Sequence, residues 1–130
     1  MKIAEALEQC RPLFRRSVLV VHPSEGEGRA AVGLARSEGA RVTALCPPLQ
    51  AAEARDAGAD FVLDPARTDP TWYRGAWAVI VDPAGALGYR RARRSLEEGG
   101  AYVTSRARPL DRALALVGRV GRRTRLLHLR

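Results

Sequence analysis

Apolar residues near the start of the chain fall at Ile3, Ala6, Leu7, Cys10 and Phe14, steps of three and four that place one stripe on a helix. Pro12 lacks a backbone N–H and ends or kinks that helix. The pattern then changes. Ser17 to Val21 is a short β-branched run of the kind buried on both faces of a parallel sheet. Ala30 to Ser37 reads as a helix closed by Gly39, Arg41 to Leu45 as a second strand stopped by Pro47 and Pro48, and Gln50 to Ala57 as a helix closed by Gly58. Further strands are expected at Asp60–Leu63, Ala78–Val81, Ala101–Thr104 and Arg125–Leu129. Helices are expected at about Leu87 to Glu98 and Leu110 to Val117. Pro65 to Gly75 reads as a loop, the segment expected to be the most mobile.

Strands that alternate with helices, and that read as continuous apolar runs, predict a parallel sheet covered on both faces. With six such strands the expected class is α/β, a doubly wound sheet of the Rossmann type in the order 3-2-1-4-5-6. Residues 1–16 form an N-terminal helical segment packed on the domain, and residues 17–130 the domain itself.

At 130 residues the chain has the usual size of one domain. No apolar run approaches the roughly 20 residues that cross a bilayer, and the first ten residues lack the apolar core of a secretory signal. A cytoplasmic protein without membrane contact is the expectation. Cys10 and Cys46 form no CxxC pair and have no histidine cluster nearby, so both are expected to be free buried thiols and no metal site is indicated. GxSxG, HExxH and P-loop patterns are absent, which removes the usual signatures of nucleophilic, zinc-hydrolase and NTPase chemistry. No catalytic residue is assigned.

Four blocks, AAVGLARSEGARVTAL (residues 30–45), AAEARDAGADFVLD (51–64), AVIVDPAG (78–85) and SLEEGGAYVT (95–104), give the chain a recognisable order. From about Ser17 onward it resembles the cofactor-binding domain of the medium-chain dehydrogenase/reductase family, the zinc-type alcohol dehydrogenases and quinone oxidoreductases. The resemblance implies a Rossmann fold and NADP(H) as the ligand. In that family most of the catalytic residues lie in a preceding domain, so the expectation is a stand-alone cofactor-type domain that is not an autonomous enzyme, or one completed by a separate catalytic-domain chain. A lesser likeness joins TWYRGAWAVIV (71–81) to the precorrin-2 dehydrogenases, which also use a Rossmann domain.

The first loop, HPSEGEGRAA (22–31), is where the resemblance places the pyrophosphate. The family pattern there ends Gly-Gly-Val-Gly, whereas this chain has Glu25, Gly26, Glu27 and Gly28. Ser24-Glu25-Gly26-Glu27 matches the S-x-x-E capping box, which uses the helix N-terminal donors internally. A carboxylate also occupies the field that favours a phosphate. The candidate cofactor-binding residues that the resemblance implies are Ser24, Gly26, Gly28 and Arg29 in this loop, Cys46 after the second strand, Asp64 after the third, and Asp82 with Gly85 after the fourth. The aspartates and glycine have an ordinary turn reading beside the functional one. NADP(H) is expected to bind weakly or to have been lost; the alternative is a non-catalytic assembly or regulatory module.

The formal charge of +8 is almost all arginine. Arg90, Arg91, Arg93 and Arg94 are expected to form the solvated face of one helix. Few aromatic residues interleave with the arginines of the C-terminal half, so nucleic acid is not the expected partner and a basic nucleic-acid-binding protein is kept only as a minor alternative. The last strand is expected at a sheet edge, where Leu126, Leu127 and Leu129 favour a homodimer.

Overall fold

The structure, a computed structural model, describes residues 1–23, 26–106 and 124–129. Six parallel strands form one sheet: β1 (Ser17–Val21), β2 (Arg41–Leu45), β3 (Phe61–Leu63), β4 (Trp77–Val81), β5 (Leu96–Thr104) and β6 (Arg125–His128), in the order β3-β2-β1-β4-β5-β6. This is the doubly wound Rossmann topology that the alternating pattern predicted.

The period-2 alternation of each strand divides the core between two faces. On one face Val18, Val20, Val42, Ala44, Val79, Val81, Ala101 and Val103 pack under α1 (Ile3–Gln9), α2 (Gly26–Ser37) and α3 (Ala51–Ala57). On the other, Leu19, Val21, Leu45, Ile80 and Tyr102 pack with Tyr89 and Ala92 of a short helix, α4 (Tyr89–Ala92). The inner strands are apolar on both sides because both sides are covered. Both cysteines are free and buried.

Two local expectations are corrected, and the loop expected at Pro65 to Gly75 is present with one added feature. The first helix stops at Gln9, ahead of Pro12, and the chain then turns so that Leu13 is buried while Phe14 lies 66% exposed. The helix expected up to Glu98 is α4 followed by a single 3-10 turn, Arg93–Ser95; from Leu96 the chain is strand, paired with Trp77 of β4. Leu96 is buried, and it reaches the core from the sheet. Glu97, on the strand, pairs with Arg16. The segment from Pro65 to Gly75 is anchored by a 3-10 turn, Pro70–Trp72, in which the carboxylate of Asp69 accepts from the Thr71 N–H at 2.9 Å and hydroxyl at 2.7 Å. The helix expected at Leu110 to Val117 lies outside the described residues.

Candidate functional site

The sheet order brings the C-terminal ends of β1 and β4 side by side while their connections leave in opposite directions, and a crevice opens there. It is a cleft of about 160 Å³ lined by Val21, His22, Glu27, Gly28, Asp82, Pro83 and Ala84. The first turn, the start of α2 and the turn after β4 therefore meet at one point.

Gly28 is where the helix and the turn come closest. A Cβ there would lie 2.7 Å from the His22 carbonyl oxygen and 3.1 Å from the Pro23 Cα, so only glycine lets α2 approach the end of β1 at this distance. Gly26 opens the helix at φ +60° with no heavy atom near its missing Cβ, leaving the backbone accessible. His22 itself is in the left-handed region, φ 51°, an uncommon conformation for a residue with a side chain.

Glu27 stands in the first turn of α2, where the unpaired N–H groups make a carboxylate favourable. One of its oxygens accepts a 2.8 Å hydrogen bond from the Ser105 hydroxyl, just beyond β5. The bond joins the start of α2 to the far side of the crevice and fixes a negative charge at its rim.

Asp82 is fully buried. Its carboxylate accepts from the backbone N–H groups of Ala86 (2.9 Å), Leu87 (2.8 Å) and Gly88 (3.2 Å) and from the Tyr102 hydroxyl (2.7 Å). These donors compensate the burial of the charge and tie the β4–α4 turn to the sheet. Asp82 is thus committed to holding the turn that forms one wall of the cleft. Asp64 closes a turn of its own, accepting the Ala66 N–H on its side chain at 2.9 Å.

Of the residues singled out in the sequence, Gly28 and Asp82 line the cleft, and Gly26 opens the helix beside it. Arg29 is exposed on α2, Gly85 turns at φ +70° against Arg106, and Cys46 is buried in the core at the end of β2, where burial pushes its thiol pKa up. Ser24 lies outside the described residues, and with it half of the capping box. His22, Pro83, Ala84 and Ser105 were missed. The signal for them was positional: each follows closely after β1, β4 or β5 at the carboxyl ends that converge in this topology. Among the described residues no cluster of His, Cys, Asp or Glu could hold a metal ion, and no helix is long and apolar enough to cross a membrane.

No protein-family model and no curated protein matches the chain by sequence. Solved structures do match its fold. The quinone oxidoreductase from Coxiella burnetii superposes with a TM-score of 0.80 at 19% identity over 99% of this chain and 40% of its own. A zinc- and cobalt-bound thermostable alcohol dehydrogenase from Pyrobaculum aerophilum gives 0.77 at 23% identity over 98% and 38%. The quinone oxidoreductase from Thermus thermophilus, solved also with NADPH, gives 0.73 at 23% identity over 99% and 42%. The chain has the same fold as the matched part of these oxidoreductases. It spans about 40% of the length of each such enzyme.

Proposed function

We propose that this chain is a dinucleotide-binding-type Rossmann domain in which the pyrophosphate seat has been taken over by an internal carboxylate, so that NADP(H) binds weakly. Glu27, held at the crevice by Ser105, is the observation that carries this reading. The backbone of the seat suits a dinucleotide: Gly26 leaves space, and Gly28 permits the close helix–strand packing. Its charge does not, because a diphosphate in so small a cleft would meet the Glu27 carboxylate. If bound, NADPH would supply a hydride and NADP+ would accept one; no catalytic step is assigned to the residues here. The test is calorimetric titration with NADPH, NADH and coenzyme A. Dissociation constants above about 100 μM for both dinucleotides are expected, and a micromolar constant would overturn the reading.

We also propose self-association of two copies along β6. This strand ends the sheet, and Leu126 and Leu127 remain only half-buried on it. An edge strand presents backbone donors and acceptors suited to pairing with its own copy about a two-fold axis. The unmodified chain should elute as a dimer and Leu127→Pro as a monomer or an unfolded chain. A monomer by light scattering at about 100 μM would refute the interface and leave the fold unaffected.

A further inference from the structure

The opposite end of the sheet carries a second constellation, which the sequence disguises because its parts lie in separate segments. Residues 69–75 lead into the N-terminal end of β4, and residues 89–95 lead into the N-terminal end of β5. The two segments are joined at both ends. Arg91 donates to the Asp69 carboxylate at 2.8 Å, and the Gly75 N–H donates to the Arg94 carbonyl at 3.2 Å. Beneath them, the indole N–H of the buried Trp77 donates to the Pro70 carbonyl at 3.0 Å and fixes the 3-10 turn to the sheet.

Between these anchors Trp72 and Tyr73 stand 68% and 54% exposed. Two exposed rings on a turn this firmly held are not explained by packing. Arg74 follows them, exposed, and Arg90, Arg91 and Arg94 are exposed on the adjoining segment. The two segments together hold five arginines and one acidic residue, Asp69, which pairs with Arg91. Hydrogen bonds from Thr71 and Arg91 hold the Asp69 carboxyl below its ordinary range despite partial burial, so the aspartate stays an anchor.

We infer that this surface binds single-stranded nucleic acid, the Trp72 and Tyr73 rings stacking on bases while Arg74 and Arg90 contact phosphates. Aromatic faces accept any base, and guanidinium groups neutralise the backbone without reading sequence, so recognition is of single strands and only weakly selective. The surface lies at the amino ends of β4 and β5, away from the crevice at the carboxyl ends of β1 and β4. Occupancy of one does not require the other. A protein partner would be expected to meet a broader apolar patch with less charge at its centre.

Fluorescence anisotropy with labelled oligothymidylate and oligouridylate of about 15 nucleotides, against a duplex of the same length, tests the inference on the complete chain. Micromolar binding at about 50 mM salt, stronger for either single strand than for the duplex and falling steeply by about 200 mM, is expected. The double variant Trp72→Ala/Tyr73→Ala should weaken binding by about tenfold or more, and Trp72→Phe should retain most of it. Arg74→Gln/Arg90→Gln should flatten the dependence of log affinity on log salt by about 1.4, the value for two phosphate contacts on a single strand. This second pair also serves if the aromatic variant fails to fold. No binding at low salt, equal or tighter binding of the duplex, or unchanged affinity in a folded aromatic variant would overturn the inference. So would an aromatic variant whose only change is loss of self-association.

Discussion

Replacing Glu27 by glutamine removes one negative charge from the crevice while leaving a side-chain carbonyl that can still accept from Ser105. The consequence for a dinucleotide follows from the size of the cleft, about 160 Å³. Charges sharing so small a space are about 4–6 Å apart, and each like-charged pair then costs roughly 0.8 kcal/mol in water and about 3 kcal/mol at an effective dielectric constant near 20. Two phosphate charges against one carboxylate in this open site thus give a penalty of about 2 kcal/mol near the aqueous limit. That corresponds to a change in affinity of about 10- to 30-fold. Glu27→Gln should tighten NADPH binding by this factor in isothermal titration. The variant should also lose about 0.3–1 kcal/mol of stability, because the carboxylate interacts with the helix dipole. Ser105→Ala provides the control, since it removes the hydrogen bond and keeps the charge, and binding should stay weak. Affinity unchanged within about threefold in Glu27→Gln, or an equal gain in Ser105→Ala, would refute the electrostatic argument.

Gly28→Ala should destabilise the fold by about 1–3 kcal/mol in chemical denaturation, because its Cβ would stand 2.7 Å from a backbone oxygen that cannot rotate away; an unchanged midpoint would show that α2 does not pack this closely. Asp82→Ala should cost about 1–3 kcal/mol by the same assay, since it removes the acceptor shared by the part-buried Ala86 and Leu87 N–H groups and the buried Tyr102 hydroxyl. A loss below about 1 kcal/mol would mean that the turn is held otherwise. The lowered Asp69 pKa gives a pH dependence of defined sign: its stabilising contribution is present above the ordinary carboxylate range and is lost as pH falls below it, through the folded-state value. Thermal melts between about pH 7 and pH 3 should therefore show a smaller acid loss in Asp69→Asn than in the unmodified chain, and identical losses would contradict the assignment.

What the sequence made legible follows from which interactions are local. The sheet order could be read because β-branched runs such as Ser17–Val21 and Trp77–Val81 are buried on both faces, a state that leaves no polar alternation. The glycines at positions 39 and 58 marked helix ends because both have positive φ. The helix continued too far at Leu96 because Tyr89, Ala92 and Leu96 fit a helical stripe, and burial alone does not distinguish a residue reaching the core from a helix from one reaching it through a strand. The site was visible only in part. Gly28 and Asp82 sit where the turns were expected, but the Glu27–Ser105 bond joins residues 78 positions apart, and no local pattern announces it. The pairing of the Trp72 segment with the arginines of α4 was hidden for the same reason.

The most direct test is a two-dimensional amide NMR titration of the labelled chain with NADPH. Shifts confined to the crevice, at His22, Glu27, Gly28, Ala84 and Ser105, and still less than half saturated at about 100 μM ligand, are the expected result. Saturation at one equivalent of NADPH, or shifts that leave these residues untouched, would contradict a dinucleotide seat weakened by its own carboxylate.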